Sequence, residues 1–156
     1  MVQRRSLLLT IGTAAVLVTS TGVVAATASR RPTKLPSILA RLIGTTWRAM
    51  SIAGEPVADD VTSSLTFESA VRVTGRAGCN AYFGPLSTAG GRLRMGPLGV
   101  TKMFCGWSGA MAQEARFLAA LGTAERLSFE DSFLLLHSPG QGAPTRLVRV
   151  KAMNRG

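Results

Sequence analysis

The side chains of this chain that could carry out chemistry are few: two cysteines, a single histidine, and scattered acids and hydroxyls. A hydrolase would need His137 to lie close to Asp59, Asp60 or Ser108. The two aspartates are adjacent, so they would point to opposite faces of a strand and would be solvated in a loop. His137 ends a predicted strand beside a Pro-Gly turn, which is an ordinary surface position. We therefore expect no enzyme, and a hydrolase that uses His137 is the alternative.

The two cysteines, Cys79 and Cys105, both lie downstream of an apolar N-terminal segment that predicts export. An even number of cysteines in an oxidising compartment favours a disulfide. Closing a loop of about 27 residues would contribute about 3–4 kcal/mol of stability. The alternatives are a metal pair, for which no His or Asp ligand lies nearby, and a reactive thiol, which would need a base. We expect no bound metal and no cofactor.

The first 28 residues have the layout of a secretory signal. Arg4 and Arg5 precede a stretch without charge that begins at Ser6 and ends in A-T-A. This pattern predicts a signal peptide over residues 1–28, cleaved before Ser29, and a periplasmic, cell-surface or secreted protein. The paired arginines leave a twin-arginine signal open, and the length of the apolar stretch leaves an uncleaved anchor open.

Two further segments follow the predicted signal peptide. Residues 29–40 are basic and contain two prolines, which predicts a linker. Residues 41–151 form one predicted domain of short strands separated by Gly- and Pro-containing turns, with alternation that turns Val71 and Val73 inward. The side chains expected to fill its core are Leu65, Phe67, Val73, Met95, Phe117, Leu121, Leu134 and Leu136.

The apolar spacing changes to a helical period over Ser108–Leu121. The residues expected on the buried stripe are Met111, Ala115, Leu118 and Leu121. The residues expected away from it are Gln113, Glu114 and Arg116. One helix beside many short strands predicts an α+β fold that is mainly antiparallel β, in which a strongly curved sheet wraps a core and the helix covers it.

The formal net charge of +10 favours anionic partners. The basic residues are spread singly and lack the interleaved aromatics of single-strand binders, so we expect no nucleic-acid binding. The partners that fit are an envelope protein or an anionic or amphiphilic envelope component. Membrane contact is expected only through the N-terminal segment, if that segment is not cleaved.

Two sequence blocks resemble motifs of the META-domain family, whose members are also called HslJ-like proteins. The run from Gly75 to Gly84 reads G-R-A-G-C-N-A-Y-F-G, and the run from Thr101 to Cys105 reads T-K-M-F-C. The resemblance implies a lipocalin-like cracked barrel with one helix. It also implies a bond between the two cysteines and a place among envelope or secreted proteins, some of them associated with heat shock.

The motif residues also have physical roles that suit a fold rather than a reaction. The glycines Gly75, Gly78 and Gly84 suit close backbone approach or positive φ. Asn80 suits a tight turn, while Thr101, Lys102 and Met103 would lie beside the disulfide.

The function that fits is a non-catalytic envelope or stress-associated domain with a structural or binding role. A barrel of this kind holds a small ligand only if its core is unfilled. A surface inhibitor or chaperone-like factor, and a hydrolase of an envelope substrate, are the alternatives. The expected binding patch consists of Tyr82, Phe83, Phe104 and Trp107.

Overall fold

The computed structural model describes residues 35–106 and 108–151. The predicted signal peptide and the first part of the predicted linker, residues 29–34, lie outside the described residues. The helices are α1 (Leu35–Leu42) and α2 (Ser108–Thr123), with a short 3-10 turn at Ala89–Gly91. The strands are β1 (Thr46–Ile52), β2 (Glu55–Pro56), β3 (Ser64–Ser69), β4 (Arg72–Arg76), β5 (Ala81–Ser87), β6 (Arg94–Met95), β7 (Gly99–Val100), β8 (Arg126–Glu130), β9 (Phe133–His137) and β10 (Thr145–Arg149).

The ten strands form one sheet in the order β6-β5-β4-β3-β1-β10-β9-β8, with β2 beside β1 and β7 beside β5. All pairings are antiparallel. The sheet curls so that its two ends approach each other: the Leu93 N–H donates to the Glu125 carbonyl at 2.9 Å. Arg92 Nη1 and Glu125 Oε2 form an ion pair beside it, also at 2.9 Å. The predicted α+β fold with a cracked barrel is confirmed.

Period-two alternation places the core on one face of the sheet. In β5, for example, Tyr82, Gly84 and Leu86 are buried while the residues between them are exposed. The eight side chains predicted for the core are all buried. The predicted inward orientation of Val71 is wrong, because Val71 is 68% exposed. It lies in the tight turn before β4 and not in the strand, so alternation does not apply to it.

Helix α1 corrects the predicted linker, because residues 35–40 belong to the folded domain. Ile38, Leu39 and Leu42 are buried in the same core as the sheet residues. The Arg41 guanidinium carbon lies 5.1 Å from the ring centroid of Phe129, on the end strand β8. The domain therefore has a second, smaller helix beside the sheet, where the sequence predicted one helix alone.

Helix α2 forms where the sequence predicted a helix, but it buries a different face. Ala115, expected on the stripe, is exposed, and Met111 and Leu118 are half-buried. Gln113 and Glu114, expected away from the core, are both buried. Two polar side chains are stable in this position because each is hydrogen-bonded there. Within residues 35–106 and 108–151, neither helix combines the length and the apolar character needed to cross a membrane.

Candidate functional site

A disulfide joins the turn after β4 to the segment that follows β7. Cys79 and Cys105 are bonded, with their Cα atoms 5.9 Å apart, and the predicted bridge is confirmed. Cys79 is buried, while Cys105 is half-buried. In the part of the chain that the structure describes, no group of three or more His, Cys, Asp or Glu side chains could hold a metal ion.

Asn80, next to this bridge, holds the segment that leads to Cys105. Its Oδ1 accepts hydrogen bonds from the Met103 N–H at 2.7 Å and from the Thr101 hydroxyl at 2.8 Å. Its Nδ2 donates to the Met103 carbonyl at 3.1 Å. We call residues 101–106 the clamped loop, because a side chain and a covalent bond fix both halves of it. Asn80 is therefore more than the turn residue that the sequence predicted.

Glu114 on α2 in turn holds Asn80. Its Oε2 accepts from the Asn80 backbone N–H at 2.6 Å, and its Oε1 accepts from the Asn80 side-chain amide at 2.9 Å. Both residues are buried. A carboxylate that accepts two hydrogen bonds in a dry site is a strong anchor. A prediction based on apolar spacing missed this role because Glu114 is polar.

Gln113 makes a second buried connection, from α2 to the segment between β2 and β3. Its Oε1 accepts from the Ala58 N–H at 2.8 Å, and its Nε2 donates to the Val61 carbonyl at 3.1 Å and to Ser63 Oγ at 3.0 Å. The Ser63 hydroxyl donates to the Ala77 carbonyl at 2.7 Å. The two neighbouring polar residues thus fix α2 against the disulfide turn and against the segment that precedes β3.

The motif glycines allow backbones to approach each other closely. A Cβ at Gly75 would lie 2.0 Å from the Ser64 carbonyl oxygen, and one at Gly78 would lie 2.7 Å from the Ala110 carbonyl oxygen. At Gly84 the nearest atom would be Leu98 Cδ2, also at 2.7 Å. Of the two roles predicted for these glycines, the structure shows close approach.

The predicted binding patch needs correction at Tyr82, which is buried because it follows the inward phase of β5. Its hydroxyl donates to the Ser64 carbonyl at 2.8 Å, and burial raises the pKa of the phenol far above its usual value of 10.0. Phe83 is 51% exposed and lies under the Arg72 guanidinium, 5.4 Å from its ring centroid. Trp107 lies outside the described residues.

Phe104 is the most exposed large apolar side chain of the described residues, at 86%, and Met103 beside it is 52% exposed. Lys102 is exposed as well. The clamped loop therefore contributes its backbone to the buried network and presents these three side chains to solvent. A groove of about 360 Å³ beside the disulfide is lined by Met103, Cys105, Arg76 and Asp60.

His137, which the hydrolase alternative would use, lies at the end of β9 beside a serine of the neighbouring strand β8. Its Nε2 lies 2.7 Å from the hydroxyl of Ser128 on the neighbouring strand. Burial, and secondarily the charge of Arg126, lowers its pKa below 6.5. Asp60 lines the groove beside the disulfide, and no hydrogen bond or ion pair joins an acidic side chain of the described residues to the imidazole.

The chain resembles known proteins over most of its length. The family model of the META domain matches residues 40–153. An NMR structure of a protein from Burkholderia xenovorans is 24% identical, with a TM-score of 0.59, over 80% of this chain and 94% of that one. The crystal structure of a DUF4847 family protein from Bacteroides vulgatus is 16% identical, with a TM-score of 0.51, over 74% of this chain and 99% of that one. These structures support the fold. No curated protein matches the chain.

Proposed function

Since the chain belongs to the META-domain family, we propose that it is an exported, non-catalytic binding domain of the cell envelope. The observation that carries this proposal is the clamped loop. Asn80, Glu114 and a disulfide all fix a loop whose Phe104 and Met103 side chains face solvent. Contiguous exposed apolar side chains with polar residues around them are typical of contact surfaces.

The disulfide supports export, because such bonds persist in oxidising compartments and are rare in the cytosol. The packing of the interior supports a contact on the outside. The fully buried side chains of Phe67, Phe117, Leu134 and Leu136 occupy the space that a ligand inside the barrel would need. The surroundings of His137 include Ser128 and, among residues 35–106 and 108–151, no bonded carboxylate, and this supports a role without catalysis.

Intact mass of the protein recovered from the exporting cell, with and without reductant, tests the export part. We expect the loss of residues 1–28 and a mass increase of two hydrogens on reduction. A full-length protein whose two thiols react before reduction would overturn this part. A stress-associated role stays a prediction, which measurement of the transcript before and after heat shock tests.

A photo-crosslinking amino acid at position 104 tests the binding part in living cells. The matched control is position 71, because Val71 is also highly exposed and apolar. We expect an envelope component to be captured from position 104 and not from position 71. Equal capture at the two positions, or none at either, would argue against a contact through the clamped loop. Capture of many unrelated unfolded proteins would favour the chaperone-like alternative.

A further inference from the structure

We propose that the clamped loop binds an anionic lipid surface, with Phe104 and Met103 entering the bilayer interface while Lys102 and Arg76 contact the headgroups. This inference rests on the proposed function and names the partner of the same site. It differs from the sequence expectation, which allowed membrane contact only through the N-terminal segment.

The loop is fixed before it binds anything. Asn80 holds the Met103 backbone at both its N–H and its carbonyl. Two residues further on, Cys105 is covalently bound to Cys79. Glu114 fixes Asn80 from the helix side. A loop already ordered in the free protein loses little conformational entropy when it binds, so its apolar side chains retain most of their transfer free energy.

The charges around the loop favour an anionic surface. Lys102 is exposed between Thr101 and Met103, the two residues that Asn80 holds, and Arg76 shares the groove beside the disulfide with Met103. The Arg76 guanidinium donates to the Cys79 carbonyl at 3.1 Å, so it stays next to the loop. Asp60 is the acidic side chain in that groove. The second nearby carboxylate, Glu114, is buried behind Asn80, so two cations against one exposed carboxylate favour a negatively charged leaflet.

The shape of the site favours a lipid surface over a protein. Phe104, with 86% of its surface exposed, projects from the domain. A stable protein interface buries about 800 Å² on each partner, which is much more than two apolar side chains on a short loop supply. A bilayer interface needs no complementary shape, and it accommodates aromatic rings at the level of the headgroups together with long basic side chains whose charge stays in water.

Tryptophan quenching by brominated lipids tests the proposal with the full chain. Phe104→Trp places the probe in the clamped loop, and Val71→Trp places a control probe at the other end of the β4–β5 hairpin. Subtraction of the signal of the unsubstituted chain removes the contribution of Trp47 and Trp107. A retained N-terminal segment would bring both probes to the same vesicles. Quenching at position 104 can therefore be compared with quenching at position 71 whether or not that segment is cleaved.

With vesicles of brominated phosphatidylcholine and phosphatidylglycerol, we expect strong quenching at position 104 and little at position 71. Phe104→Ala should lower the vesicle partition coefficient of the cleaved form on the order of ten-fold. Lys102→Glu should weaken the quenching of the Phe104→Trp probe on anionic vesicles.

Absent quenching at position 104, equal quenching at the two positions, or equal quenching on vesicles of phosphatidylcholine alone would overturn the proposal. Any of these results with a cleaved, disulfide-bonded protein would leave the export part of the proposed function intact. A protein captured by crosslinking from position 104, with no quenching there, would replace the lipid with a protein partner.

Discussion

Glu114 binds Asn80 with both of its carboxylate oxygens, one to the backbone N–H at 2.6 Å and one to the side-chain amide at 2.9 Å. The pair links the middle of α2 to the disulfide turn, 34 residues away in sequence. Because Asn80 in turn holds Met103, a change at Glu114 is expected to affect the clamped loop through Asn80.

Glu114→Gln should therefore destabilise the protein by about 1–3 kcal/mol, because an amide nitrogen would replace one of two acceptors that face buried donors. Urea unfolding of the variant and the unsubstituted chain measures this loss. The control is Glu130→Gln, which weakens an exposed ion pair with Arg146 and should cost less than about 1 kcal/mol. Similar losses in the two variants would contradict the role of the buried pair.

Two glycines should respond in opposite directions to the addition of a single methyl group. Gly75→Ala would place a Cβ 2.0 Å from the backbone oxygen of Ser64, and we expect a loss of about 3 kcal/mol or more. Gly122 lies inside α2 with no atom within 4 Å of an added Cβ. Gly122→Ala should stabilise the helix by about 0.5–1 kcal/mol. Thermal unfolding midpoints that move in the same direction would be inconsistent with this account.

Helix α1 should behave as part of the core. Leu42 is fully buried and Ile43, the next residue, is 43% exposed. Leu42→Ala should cost about 2–5 kcal/mol because it leaves a cavity, whereas Ile43→Ala should cost less than about 1 kcal/mol. Chemical denaturation of the two variants makes the comparison. If Leu42→Ala costs no more than Ile43→Ala, helix α1 does not pack as part of the core.

Stability should fall on mild acidification because of His137. Its pKa is lowered in the folded protein, first by burial and then by Arg126, below the value of 6.5 expected for the unfolded chain. The unfolded chain therefore binds the proton more readily. The stability is present above pH 6.5 and is lost as the pH falls through the lower, folded-state pKa.

Urea midpoints measured from about pH 7.5 down to about pH 5 test this, because that range spans the usual pKa of histidine. The unsubstituted chain should lose stability more steeply than His137→Gln, in which the titrating group is absent. Parallel curves for the two proteins would show that His137 does not contribute to the pH dependence.

Alternation and turn residues were sufficient to predict the curved sheet and its core, because both depend on local side-chain patterns. The same patterns also indicate the burial of Tyr82 and the helix at residues 35–42, which were not predicted. Tyr82 lies two residues before Gly84 and four before Leu86, so all three share the inward face of β5. Leu35, Ile38, Leu39 and Leu42 have helical spacing, and Pro36 is compatible with a first helical turn. Tyr82 was predicted at the surface because of its residue type, although its spacing indicated burial. Residues 35–40 were predicted as a linker because of the prolines, although their apolar spacing indicated a helix.

The candidate site could be predicted only in part from the sequence. The two cysteines and the motif block indicated the bridge, which forms between residues 26 apart. The orientation of α2 was missed because its buried face carries Gln113 and Glu114, and apolar periodicity treats such residues as solvated. Their burial depends on partners far away in the chain, such as Asn80 and Ser63, and a single sequence does not show those pairings.

The hydrogen bond between Leu93 and Glu125 has a consequence for the volume of the internal cavity that a protein of this topology can form. The first and last strands of the sheet order, β6 and β8, do not pair with each other as strands, and this hydrogen bond joins the chain beside them. Since helix α1 lies against β8 and helix α2 lies against β6, widening this gap would displace helices and would break no strand ladder. A chain of the same topology could therefore gain an internal chamber by moving its helices outward, with the ten strands and their register unchanged.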